Sequence, residues 1–359
     1  MSTRATVPAI TPNWFAMVMG TSILGTAAAT LPVSSPALDV LAWAAWAVAT
    51  VLLVGAVAVT VAHYVDDRGA VRRYLDDPGM SYFFGAQAMG LLAYGAATLV
   101  VAQPLLGEGL AVGIDAVLWI LGTMLGLATA VGVPVLAFTR HRVAPDAASG
   151  AWLMPVVPPM VSAATGGMLL PYVDGELART LALACYAMFG LSGLAAIMVI
   201  ASVWNRLSHH QVGAAAAVPT LWIVLGPLGQ SITAVGILAD NAGDALGIEP
   251  HTLRMFSLLY GVPVMGFALL WLAIALAITL RTTRAGLPFT LAWWAFTFPV
   301  GTCVTGASQL AKHTGSVAMT GLAVLLYALL VAGWATAATG TMRHHLPGRV
   351  ARERVTVAA

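Results

Sequence analysis

Few side chains in this chain could do chemistry inside its apolar stretches. The most telling group lies in residues 289–309, FTLAWWAFTFPVGTCVTGASQ. The stretch carries no charged residue, yet Pro299, Gly301 and Gly306 interrupt it. Wound as one helix, it sets Phe298, Gly301, Thr302, Thr305 and Ser308 on one face, at steps of three and four. That face is small and hydroxylated, with a single large ring on it. Hydroxyls can replace part of the water around a solute in a narrow passage, and a ring can obstruct the passage. Phe298 is therefore expected to act as a gate. Phe296 lies about 200° away at 3.6 residues per turn and does not share the face of Thr302 and Thr305.

The same signature recurs in four other apolar stretches. One has the small polar pair Gly20 and Thr21. Another aligns Phe83, Gln87, Gly90 and Tyr94. A third aligns Pro158, Ser162, Thr165 and Gly166, and a fourth Trp222, Gly226, Gln230 and Thr233. Membrane helices also use Gly, Ser and Thr to approach one another, so packing competes with a wall function at every single position. The recurrence over five stretches favours walls. The expected pore lining is Gly20, Thr21, Gln87, Gly90, Pro158, Ser162, Thr165, Gly226, Gln230, Thr233, Gly301, Thr302 and Thr305.

Ionisable groups are scarce there. None of the five stretches has an Asp, Glu, Lys or Arg near its middle, and Asp115 lies near the start of a different one. All eight His residues fall at the ends of apolar runs or between them. Proton-coupled carriers usually keep an ionisable group inside the membrane, and cation pores usually carry carboxylate rings. Hydroxyls, two amides and backbone freed at Pro158–Pro159, Pro227 and Pro299 remain. Broken helices present N–H groups of partial positive charge, which favours anions. Cys185 and Cys303 lie inside apolar runs and read as small buried residues; no metal site and no cofactor is expected. Gly190-Leu191-Ser192-Gly193 mimics an intramembrane serine protease motif, but no His lies at membrane depth to serve Ser192 as a base.

The elements that must position these residues are helices in lipid. Of 359 residues, 60% are hydrophobic and 8% charged, far below the roughly 25% charged residues of soluble domains. A helix needs about 20 apolar residues to cross the hydrocarbon, and open sheet edges are not tolerated there. Ten spans are expected, at residues 12–31, 37–63, 80–104, 110–139, 152–171, 176–205, 217–239, 250–281, 288–311 and 315–342. The first is expected to stay in the mature chain, because the N-terminus lacks a cleavable signal pattern. Residues 1–359 read as a single transmembrane domain.

The connections after odd spans are short, such as PVSSP, LLGEG and YVDGE, with a somewhat longer DNAGDALGIE after the seventh, which makes five helical hairpins in a row. The connections after even spans hold Arg68, Arg72, Arg73, Arg140, Arg142, Arg206, Arg281 and Arg284. The N-terminal segment adds Arg4, and the C-terminal segment Arg343, Arg349, Arg352 and Arg354. Only Arg179, Arg254 and Lys312 fall on the other side, so both termini are expected in the cytoplasm. Odd spans are irregular and even spans mostly smooth Ala, Leu and Val. An all-α membrane protein follows, with an inner ring of five odd helices around a central pore and an outer ring of five even ones.

TPNWFAMVMGTSIL, PVVPPMVSAATGG, GPLGQS and LAWWAFTFPVG resemble stretches of the tellurite-resistance and dicarboxylate transporter family. That TehA-like family includes the yeast malate transporter, fungal sulfite exporters and plant slow-type anion channels. The ten-span plan extends the resemblance over nearly the whole chain. It implies five hairpins around a central pore, in a homotrimer of separate pores, with a pore-blocking phenylalanine at the position of Phe298. GPLGQS is more similar to the sulfite-exporter branch than to the malate branch.

The expected function is transport of small anions: sulfite, chloride, nitrate, tellurite or a C4-dicarboxylate such as malate. The expected partners are that anion, the lipid bilayer and two further copies of the chain, with no nucleic acid, and the expected location is the plasma membrane. With no titratable group in the wall, transport is expected to be uncoupled and biased to export. An inside-negative potential of ~100 mV is worth about 2.3 kcal/mol per charge. The alternatives are a proton-coupled C4-dicarboxylate carrier and, remotely, a serine protease acting through Ser192.

Overall fold

The computed structural model describes residues 10–345, and every regular element among them is helical. Five long helices alternate with five shorter ones. The short ones are α1 (Phe15–Thr30), α3 (Phe84–Ala97), α5 (Pro158–Leu169), α7 (Leu225–Asn241) and α9 (Phe298–Thr314). The long ones are α2 (Pro36–Asp66), α4 (Glu108–Thr139), α6 (Gly175–His210), α8 (Pro250–Ala285) and α10 (Val317–His345). Seven helical segments are long and apolar enough to cross a membrane: the five long helices, Pro78–Leu106 and Ala215–Asn241. Arg4, Arg349, Arg352 and Arg354, used above for orientation, lie outside the described residues.

The long helices are straightforward to derive. Each buries one stripe at steps of three and four. On α2 it is Ala42, Ala45, Ala49, Leu53, Ala56, Thr60 and His63; on α8 it is Leu253, Ser257, Gly261, Met265, Ala268, Trp271, Ala275 and Thr279. The other faces expose large aliphatics such as Val51, Leu194 and Leu259. Water would not tolerate that much apolar surface on so many helices, whereas lipid does. Turn chemistry sets the ends. Ser35 caps α2 by accepting from the Leu38 N–H at 3.3 Å, with Pro36 in the first turn. Gly315, at φ 64°, closes α9 in the left-handed region.

The short helices are buried on nearly all sides. They are also interrupted. Residues 288–311 were expected to form one helix with Pro299 in its middle. Instead Leu291–Phe296 is a 3-10 helix, the chain breaks at Thr297 (φ −104°, ψ −81°), and α9 starts at Phe298. Proline lacks the N–H that a continuous helix would need, and it costs least in a first turn. The same logic starts α5 at Pro158, after the 3-10 segment Gly150–Leu153, and precedes α7 with the 3-10 segment Ala215–Val224. After α3 the chain widens into a π-helix at Thr98–Ala102.

Each short helix packs against the long helix that follows it. The short helices also touch each other in the order α1, α3, α5, α7, α9 and back to α1. Tryptophans tie the two sets together. Trp46 of α2 donates to the Thr98 hydroxyl at 3.1 Å, Trp119 of α4 to the Ser162 carbonyl at 2.9 Å, Trp271 of α8 to the Leu221 carbonyl at 2.8 Å, and Trp334 of α10 to the Thr21 hydroxyl at 3.0 Å. A buried indole N–H needs such an acceptor. A tight seam joins α7 to α9, where Gly229 faces the backbone of Thr302 and Cys303 with no room for a Cβ.

Candidate functional site

Three cavities lie along the faces that the five short helices share. The first, of about 40 Å³, is at their N-terminal ends and is bordered by Met19, Met89, Val157, Gly226 and Phe298. The middle one, of about 20 Å³, is bordered by Thr26, Ala93, Thr165, Gln230, Thr233 and Thr305. The third, of about 280 Å³, is at the C-terminal ends and is bordered by Gln103, Tyr172, Asn241, Gln309 and Lys312. The lining advances along each helix by three or four residues: Ala16, Met19, Ile23 and Thr26 on α1; Val157, Val161, Thr165 and Met168 up to and along α5; Gly226, Gln230, Thr233, Ile237 and Asp240 on α7; and Phe298 and Thr305, then Gln309 and Lys312, on α9. One stripe per helix therefore runs from the first cavity to the middle one, and on α5, α7 and α9 it continues into the third.

Phe298 borders both the first and the middle cavity, and among the described residues it is the one side chain common to the two. It is 3% exposed. Neither of these two cavities is lined by an Asp, Glu, Lys or Arg. The third is different. The Lys312 ammonium donates to an Asp240 oxygen at 2.7 Å, and the other Asp240 oxygen is 3.0 Å from His313 Nε2.

The expected lining residues divide. Thr165, Gln230, Thr233 and Thr305 border the middle cavity and Gly226 the first. The others turn to neighbouring helices. Gly20 lies against Thr297, and Thr21 accepts from Trp334. Gln87 lies near the Tyr64 ring of α2, and Gly90 packs on Phe15. Pro158 sits against Gly126 of α4, and Ser162 accepts from the Thr123 hydroxyl of α4 at 2.9 Å. Gly301 packs on Ile23, and the Thr302 hydroxyl donates to the Pro299 carbonyl at 2.7 Å. Small polar residues serve close packing as well as they serve a wet wall.

Several lining residues carried no such signature. Met19, Ile23, Ala93, Ala96, Val161 and Met168 read as ordinary apolar positions, and only their register with Thr165, Gln230 and Phe298 across the assembled helices marks them. The nucleophile candidate Ser192 is fully buried, and its hydroxyl has no partner. Cys185 and Cys303 are buried free thiols. Two larger apolar hollows, of about 480 and 830 Å³, lie along α4 and α6 and along α6 and α8. The first is lined almost wholly by apolar side chains, and the second adds Asn205, Ser208 and His209 to an apolar lining.

Residues 9–342 match the family described as SLAC1, voltage-dependent anion channel. The sulfite efflux pump SSU1 of Arthroderma otae is 27% identical over 331 residues, covering 90% of this chain and 87% of the pump. The SSU1 pump of Trichophyton rubrum is 28% identical over 339 residues, 89% of each chain. An uncharacterized transporter of Methanocaldococcus jannaschii is 26% identical over 340 residues, 94% of each chain.

Proposed function

The chain belongs to the SLAC1 voltage-dependent anion channel family, whose members are transporters and channels rather than enzymes, and from that premise we propose that it moves small anions through a pore along the shared faces of the five short helices, gated by Phe298. The observation that carries this reading is the position of one ring between two cavities on a common stripe. A benzyl group there separates solvent on one side from the middle cavity without contributing charge. On this reading, turning the ring aside joins the two spaces. The unsheltered apolar faces of the long helices support a multi-pass membrane protein. On this reading the ten helices span the plasma membrane as five hairpins, with the short helices inside, both termini in the cytoplasm and three pores in a homotrimer.

The substrate we propose is sulfite or a similarly small anion, on the similarity to SSU1 pumps over nearly the full length. The absence of charged groups from the first two cavities supports uncoupled movement, driven by the potential and therefore outward. The experiment is flux in proteoliposomes under a clamped potential with a panel of sulfite, chloride, nitrate and malate. Voltage-dependent flux of at least one small anion is expected, and Phe298→Ala should raise it about tenfold or more. Silence for every anion in both proteins defeats the proposal. Acidification of the vesicle lumen during malate uptake would replace it with a proton-coupled carrier.

A further inference from the structure

We propose that the middle cavity is an occluded anion site, ligated by the Gln230 amide and closed on its far side by Met168, a second plug in series with Phe298. The proposal rests on the pore reading above and adds a binding residue and a closure to it.

Met168 carries the first half. Among the described residues it is the one side chain that borders both the middle and the third cavity, as Phe298 is for the first and the middle. It follows Thr165 by three residues and Val161 by seven, so it continues the stripe of α5. Residues 158–170 are otherwise buried, and Met168 alone is half-buried, because it reaches the polar third cavity. A thioether on three rotatable bonds can swing aside without backbone movement. The two plugs are therefore both apolar and about one small cavity apart.

Gln230 carries the second half. It is 4% exposed, and its amide oxygen is buried without a hydrogen-bond partner. The hydroxyls around it are already spent on the walls. Thr26 donates to the Ser22 carbonyl at 3.2 Å, Thr165 to the Val161 carbonyl at 3.0 Å, and Thr305 to the Thr302 carbonyl at 3.1 Å. The Thr233 hydroxyl lies 2.7 Å from that of Thr305 and within reach of the Gly229 carbonyl at 3.1 Å. A buried amide left unpaired is costly, and folded proteins keep few of them. Rotation about its last side-chain bond presents two N–H donors to the cavity. The space, about 20 Å³, is at the scale of a single water. An anion there has shed most of its hydration, and the Gln230 N–H groups are the donors left to replace it.

The test uses full-length protein in proteoliposomes, with chloride and nitrate as probes and Phe298→Ala as the conducting parent. Met168→Ala added to that parent should raise chloride flux about tenfold, and Met168→Trp should cut it by a similar factor. Gln230→Glu keeps the shape but removes the donors and adds a negative charge; chloride flux should fall at least tenfold. Gln230→Asn, which keeps an amide, should restore part of it and change the chloride-to-nitrate ratio. Should Gln230→Glu elute as aggregate, Met168→Cys takes its place: a charged thiol reagent should block the parent, and saturating nitrate should slow the block. If the parent conducts but both Met168 variants stay within twofold, or Gln230→Glu conducts like the parent, the occluded site is overturned while the pore reading stands. If the Phe298→Ala parent itself carries no anion current, the pore reading falls and this site with it.

Discussion

A phenyl ring in a passage is a particular kind of obstacle. It offers no charge to trap an anion and no donor to hold it, so it excludes by volume and by the cost of desolvation. The ring of Phe298 has the Thr302 and Thr305 side of α9 behind it, and those hydroxyls are engaged with backbone carbonyls and with Thr233. The wall is thus held in shape by its own hydrogen bonds and does not depend on solute. Thr305→Val removes one of these bonds at a cost of roughly 1 kcal/mol, and a thermal melt in detergent should fall by a few degrees. Gly229 is the residue whose size matters most for the seam between α7 and α9, because Thr302 and Cys303 occupy the space of its missing side chain. Gly229→Ala should destabilise by about 1–3 kcal/mol, read as a lower melting temperature. An unchanged melt would mean that the two helices can part without loss.

At the scale of elements, the long helices hold the short ones through indole hydrogen bonds, and one buried carboxylate beside them makes none. Asp115 of α4 is fully buried against Gly95 of α3, and neither of its oxygens has a hydrogen-bond partner. It borders none of the three cavities. A carboxyl group in that position is a burden on folding. Asp115→Asn should raise the melting temperature and leave anion flux as it was; lost flux would put Asp115 in the transport cycle and favour proton coupling. The 3-10 segment Ala215–Val224 explains why one residue read from the sequence turned away from the cavities. A 3-10 turn has three residues where an α turn has 3.6, so the phase shifts along it. Trp222, aligned above with Gly226 and Gln230, lies in such a segment and instead donates to Thr279 of α8 at 2.9 Å.

At the scale of the whole molecule, the proposed passage, uncharged through its first two cavities, makes transport a question of gradient and potential. About 2.3 kcal/mol per charge at ~100 mV corresponds to a roughly 50-fold outward bias for a monoanion at equilibrium. Setting the vesicle interior positive should reverse the direction of chloride flux through Phe298→Ala; flux that ignores the sign of the potential would require coupling to another ion.

The amino-acid sequence determined that the chain is helical and lies in lipid, because charge content and the length of apolar runs decide those matters without reference to any contact. It also singled out Phe298, since one large side chain on a small polar face is conspicuous before folding. Tertiary structure alone decided which of the small polar residues meet a cavity. Ser162 and Thr165 look alike in sequence, yet one accepts from Thr123 and the other borders the middle cavity. The reason is physical: glycine, serine and threonine suit a tight helix contact and a hydrated wall equally well, and only the neighbouring helices decide which part of a face meets the cavity. Met168 and the unpaired amide of Gln230 became visible only once five stripes from distant parts of the chain stood side by side.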